Sequence, residues 1–174
     1  MTTRCLSRHA RAVLHIMPNA VSTQDAKLQQ QRARALFLRF ASRFRAACAR
    51  VYQQLGHRER EAVYQRALAA EFEALGYTCV CEHPVPVTYV ASDGRQRTLA
   101  HERADIAVWS AESVIVVEVK RGSGVASLNK EGLQQARRYG AHLERSGTKV
   151  GGVCAATFDK TARASPLTSS ESWL

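Results

Sequence analysis

No apolar run in the chain approaches the roughly 20 residues needed to span a bilayer; the run Val114 to Val117 suits a strand instead. No membrane span is therefore expected. Cys-x-x-Cys pairs are also missing: the five cysteines stand at 5, 48, 79, 81 and 154. An odd, scattered set fits a closed disulfide framework poorly, so reduced thiols in an intracellular compartment, cytoplasm or nucleus, are expected. Cys79 and Cys81 share one side of a strand, but no second Cys or His pair follows at zinc spacing. The six histidines contain no His-x-x-x-His pair. Zinc chemistry has little to stand on.

Acid is what the first third of the chain lacks. Residues 1–60 hold twelve of the 25 Lys and Arg but only Asp25 and Glu59 of the 15 acids, so this segment carries the entire net charge of +10. A cationic segment beside a balanced body points to docking on a polyanion. Nucleic acid is the leading partner, DNA ahead of RNA, with an acidic protein or a membrane surface as alternatives. Residues 1–22 carry Arg4, Arg8 and Arg11 with several Ser and Thr and no acid, and read as a basic flexible arm. Organelle transit segments share that composition.

A length of 174 residues suits one domain. After Pro18-Asn19, Ser22 with Asp25 three residues on marks a helix start. Leu28, Ala33, Leu36, Phe37, Phe40, Phe44, Ala47, Cys48, Val51 and Leu55 then recur at helical spacing and predict one buried stripe. Arg32, Arg34, Arg39, Arg43, Arg45 and Arg50 occupy much of the remainder, either as a solvated face or as contacts to phosphates. A second helix is predicted from about Glu59 to Leu75, closed by Gly76. Alternation follows in strands at 77–90, 98–109 and 113–120, with Pro84 and Pro86 marking the first as an edge strand. A helix at about 128–144 and a strand at 149–158 complete the order. The predicted fold is α/β, a central mixed sheet flanked by helices, with a long basic N-terminal helix. A single domain over residues 23–160 is expected, with a flexible tail at 161–174.

Charge arriving on an apolar strand needs a reason. Val114 to Val117 runs directly into Glu118-Val119-Lys120, whose two charged side chains point to one side of the strand. If the strands pair through the turn at residues 110–112, positions summing to 223 face each other, and Asp105 meets Glu118. Two carboxylates at one strand end, with a backbone carbonyl such as that of Val119, form an oxygen site suited to Mg²⁺, with Mn²⁺ as a substitute, rather than zinc. Such an ion acidifies a bound water and offsets phosphoryl charge, while Lys120 orients or deprotonates the water. The bland alternative is a salt bridge at a strand end. Glu61 at the second helix start is a further candidate ligand; Glu71, mid-helix, is a weaker one and equally a solvated residue. On the third helix Gln135 and Tyr139 share a face beside Arg137 and Arg138. Gln135 is placed to hydrogen-bond a metal water or a phosphate. Arg32, Arg39, Arg43, Arg50, Arg137 and Arg138 are the candidate nucleic-acid contacts, and His101 is the histidine nearest the presumed active edge.

These residues resemble the restriction-endonuclease-like superfamily with the signature PD-(D/E)-x-K and, within it, the GxxExxY proteins. The likeness covers about residues 50–158. Leu55-Gly56-His57-Arg58-Glu59-Arg60-Glu61-Ala62-Val63-Tyr64 resembles the Leu-Gly-x-Gly-x-x-Glu-x-x-Tyr opening; Pro84 to Tyr89, Arg103-Ala104-Asp105, Glu118-Val119-Lys120 and Gln135 to Tyr139 follow in order. The resemblance implies an Mg²⁺-dependent nuclease in which Asp105 and Glu118 hold the ion, Lys120 serves the water, and Glu61 and Gln135 support them. A homodimer would suit cutting of two strands. The alternative is a nuclease-fold protein that binds nucleic acid in a structural, packaging or adaptor role with little or no cleavage. The chain departs from the family's pattern at Arg58, which replaces the second glycine, at Ala104, where a proline is usual, and at Thr157 before Phe158, where Asn is usual.

Overall fold

Helical spacing in the first part of the chain and alternation in the second produce eight elements. They are α1 (Thr23–Leu55), α2 (Glu61–Ala74), β1 (Thr78–Val90), β2 (Gln96–Trp109), β3 (Val114–Gly122), α3 (Val125–Arg145), β4 (Val150–Asp159) and β5 (Leu167–Ser172). This computed structural model describes residues 23–161 and 165–173. The basic arm expected over residues 1–22, including the Ser22 helix start, lies outside them.

The five strands form one mixed sheet in the order β1-β2-β3-β4-β5. Only β3 and β4 run parallel, joined by α3, because a parallel connection needs a crossover of a dozen residues or more. The β2–β3 register is the one expected: Ile106 faces Val117 and Trp109 faces Val114.

Each sheet face is covered by a helical stripe. On one face, Phe37, Phe40, Phe44 and Val51 of α1 join Leu68 and Phe72 of α2 over Ile106, Val108, Val117 and Val119. Phe40 packs against Phe44 and Phe72 with ring centroids 6.3 and 5.4 Å away. Each such buried ring contributes roughly 1.5–3 kcal/mol. On the other face, Ala136, Tyr139 and Leu143 of α3 cover Val114, Val116 and Val153. The α1 stripe is shorter than its periodicity suggested: Leu28 and Leu36 are exposed.

The tail also differs from expectation. Residues 167–172, read as part of a mobile segment, form β5, which pairs antiparallel with β4 from Gly152↔Ser172 to Thr157↔Leu167. Its Ser-rich sequence gives no alternation of apolar residues because this edge strand buries little. Backbone pairing and the bond from Ser169 to the buried Asn129 of α3 hold it in place.

Candidate active site

The β2–β3 ladder runs from Trp109↔Val114 to Ile106↔Val117, and beyond it two acidic side chains stand in for backbone pairing. The Asp105 amide donates to Glu118 Oε1 at 3.2 Å, and the Val119 amide donates to Asp105 Oδ2 at 2.7 Å. Strand alternation breaks at the same point, since Ala104 and Ala107, three apart, share one face while Ile106 and Val108 take the other. Opposite, Glu82 of β1 adopts a left-handed φ of 53°, a conformation that costs a non-glycine residue about 1–3 kcal/mol. The kinked pair is fastened by Gln65 of α2, which is buried and donates both to Glu82 and to the Asp105 carbonyl.

Lys120 completes the set: its Nζ lies 3.3 Å from Glu118 Oε2, with Glu118 wholly buried. Burial, then the charge of Asp105, pushes the Glu118 carboxyl up to about 8, against the pull of Lys120. Burial likewise raises Asp105, resisted by the Val119 amide and Lys120. For Lys120 burial disfavours the charge, but Glu118, Asp105 and Glu61 outweigh it and raise the ammonium above its ordinary range. When both acids of the buried pair are ionised, one ammonium leaves the set short of positive charge, a deficit that a divalent cation would offset.

Glu61, at the start of α2, reaches the same strand end and accepts from the Arg121 amide at 2.8 Å. Burial raises its carboxyl too, opposed first by Lys120. The donors Asp105, Glu118 and Glu61 are all oxygen, the chemistry a hard divalent ion prefers. Among the described residues, no group of three or more His, Cys, Asp or Glu side chains converges into a preformed metal cage. Each of these carboxylates accepts from a protein donor, so an ion would have to displace or share those bonds.

Several contributors went unread in the sequence. Gly132 of α3 lies where a Cβ would stand 3.3 Å from Lys120 Cγ and 3.7 Å from Glu118 Cβ, so the missing side chain lets α3 rest on the site. The Tyr64 hydroxyl donates to the Gly56 carbonyl at 2.7 Å, and Arg121 Nη2 donates to the His57 carbonyl at 3.3 Å. Together they explain physically why a Gly, a Glu five residues on and a Tyr three further occur as a unit: the Tyr closes the loop that presents the Glu. Gln65 and Glu82 gave no signal, since their partner is brought in only by folding.

Other candidates are placed elsewhere. Gln135 donates to the Tyr139 hydroxyl at 2.7 Å, its expected helical neighbour, rather than to the acid–lysine set. Glu71, the weaker ligand candidate, forms an ion pair with Arg50 at 3.3 Å, well down α2 from Glu61. Arg137 pairs with Glu171 and Arg138 with Glu102, and Arg43 donates to the Tyr77 hydroxyl. Cys79 and Cys81 are partly buried against the core. His101 is exposed on β2. The N-terminal half of α1 lies at the far end of the sheet: Phe37 packs on Gly152, whereas Tyr52 meets Phe158, next to the Lys120 partner Thr157. Gly152 to Thr157 spans roughly 17 Å of strand, which separates Arg32 from the acids.

No helix among the described residues is long and apolar enough to cross a membrane. No match is found among curated proteins. The sequence profile of one family matches residues 39–162, well over half of the chain and spanning every element that carries Glu61, Asp105, Glu118 and Lys120. Members of this family usually use divalent metals and act on nucleic acid. The mixed sheet with flanking helices is the restriction-endonuclease-like arrangement, and the chain belongs to the PD-(D/E)XK nuclease superfamily.

Proposed function

We propose that the protein is a divalent-metal-dependent nuclease that hydrolyses phosphodiester bonds of nucleic acid, with Mg²⁺ as the ion, Mn²⁺ as its substitute and DNA as the preferred substrate. The observation that carries this reading is the contact of Asp105 and Glu118, which brace one another's strands, with Lys120 against the buried acid. Asp105 and Glu118 would hold the ion, with Glu61 at the helix start as a third oxygen donor. When bound, the ion supplies Lewis acidity toward water and the phosphoryl oxygens. Lys120 then lies beside the ligand carboxylate, placed to orient the water and to neutralise charge building on the phosphorane. Gln65 and Glu82 fix the bend that presents Asp105, and Gly132 sets the height of α3 over the lysine stem. The Tyr64–Gly56 closure supports the narrower likeness to GxxExxY proteins. Gln135, one turn after Gly132 on α3, would serve a metal water or a substrate phosphate.

One observation favours a second reading, a nuclease-fold protein that binds nucleic acid in a structural, packaging or adaptor role without appreciable cleavage. The three acids are already satisfied by protein donors and make no preformed cage among the described residues. Incubation of plasmid and of DNA and RNA oligonucleotides with Mg²⁺ or Mn²⁺ separates the two. The nuclease reading expects cutting that Asp105→Ala and Lys120→Ala abolish while binding persists; equal residual cutting in those variants refutes it, and binding with no cutting in the native protein establishes the second reading.

A further inference from the structure

A cation already held by an acid gains less from a phosphate than one held by none, because the ion pair must first be broken. Arg50, Arg137 and Arg138 have acid partners in Glu71, Glu171 and Glu102. Arg32 is exposed but sits at the end of the sheet remote from Glu118 and Lys120. Four of the helical arginines that stand out in the sequence are thus either engaged by an acid or remote from the acid–lysine set.

Three other basic residues lie close to the strand end that carries Lys120. Arg58 and Arg60 are exposed in the loop between α1 and α2, immediately before Glu61, and neither forms an ion pair among the described residues. Lys160 is exposed just past β4, and its amide donates to the Gly122 carbonyl at the end of β3. All three flank the strand end that carries Lys120. The loop is also held in shape: Tyr64 bonds the Gly56 carbonyl, Arg121 bonds the His57 carbonyl, and the Val63 amide bonds the Arg60 carbonyl at 2.9 Å. Glu59 is the one acid in the loop, so Arg58 to Arg60 keeps a positive balance. Two exposed arginines on a fixed loop give up less freedom on binding than the same residues on a slack one.

We propose that the Arg58–Arg60 loop, with Lys160 at the end of the neighbouring strand β4, is the phosphate-gripping surface that seats a nucleic-acid backbone across the Glu61–Asp105–Glu118–Lys120 edge. This rests on the nuclease-fold reading above for the identity of the polyanion, but it assigns the grip to residues outside the acid–lysine set. It also gives a physical role to Arg58 where the resembled opening has glycine.

The test is the salt dependence of binding, measured without divalent cations so that nothing is cut, on single- and double-stranded DNA and RNA oligonucleotides. Each phosphate that is no longer neutralised flattens the slope of log K against log salt by about 0.9 on duplex DNA and about 0.7 on single strands. Arg58→Ala/Arg60→Ala should therefore flatten it by about 1.8 on duplex, Lys160→Ala by about half that, and Arg58→Lys/Arg60→Lys should restore it. Arg137→Ala/Arg138→Ala should change it little. Melting temperature separates a binding role from a structural one: removing two cations from the positive end of α2 should leave it unchanged or raise it. A native protein that binds while the loop variant keeps the full slope overturns the proposal and leaves the nuclease reading intact. Absence of binding by the native protein to every oligonucleotide overturns both.

Discussion

If Glu118 holds the proposed ion, a metal ion and a proton compete for it, and the competition has a calculable size. With its carboxyl pushed up to about 8 by burial and by Asp105, the residue is almost wholly protonated at pH 6 and about half ionised at pH 8. If only the carboxylate binds the ion, protons weaken the apparent affinity about a hundredfold at pH 6 and about twofold at pH 8, so affinity should tighten about fiftyfold, or about 2.3 kcal/mol, between the two. Titration calorimetry with Mn²⁺ or Mg²⁺ measures it directly, and the metal-induced rise in melting temperature reports the same linkage. The metal-free protein should move the other way. An acid whose folded pKa is raised contributes its full share of stability below its unfolded value near 4.5, and that share is lost as pH rises toward 8. Glu118→Gln keeps one acceptor oxygen for the Asp105 amide, gives up the one that faces Lys120 and cannot ionise, so it should flatten both pH dependences and weaken metal binding. Equal metal affinity at pH 6 and 8 in the native protein, or an unchanged pH dependence in Glu118→Gln, would refute the assignment of this carboxylate as a ligand.

Three further outcomes follow from packing. Gly132→Ala should keep the fold, because alanine gains about 0.8–1 kcal/mol of helix propensity against the crowding, yet lower the rate of any cleavage by pressing on the Lys120 stem 3.3 Å away; parallel loss of melting temperature and activity would contradict a local effect. Gly152→Ala should destabilise by about 1–3 kcal/mol, since the added methyl collides with the buried Phe37 ring, and urea unfolding that shows no change would place Phe37 elsewhere. Tyr64→Phe should cost about 1 kcal/mol for the missing bond to the Gly56 carbonyl and increase amide exchange at residues 56–60; protection that stays native there would mean the loop is held by other contacts.

The carboxylate pair was legible because hairpin register is an arithmetic property of the sequence. A short turn at residues 110–112 fixes which positions face each other, and an apolar run interrupted by Glu118 and Lys120 marks where charge must be paired. What folding alone reveals is the bracing around it. Gln65 lies 40 positions from the carbonyl it bonds, and Gly132 matters only because α3 crosses the sheet above Lys120. β5 escaped notice for a related reason: a polar edge strand is specified by its neighbour's backbone rather than by its own alternation.

The same limit governs the charges. A helical wheel shows where arginines project but not which acids meet them, and Glu102 and Glu171 reach Arg138 and Arg137 from 36 and 34 positions away in the chain. Counting cations along α1 and α3 thus overstates what is available to a phosphate. Arg58 and Arg60 look ordinary in a sequence because they are two basic residues in a short loop. They gain weight only when Tyr64 and Arg121 fix that loop beside Glu61 and, among the described residues, no acid pairs with their side chains. Partnering and position, as well as density, bear on where a polyanion can be held, and on the proposed reading the grip lies next to the acid–lysine edge instead of at the remote end of the long basic helix.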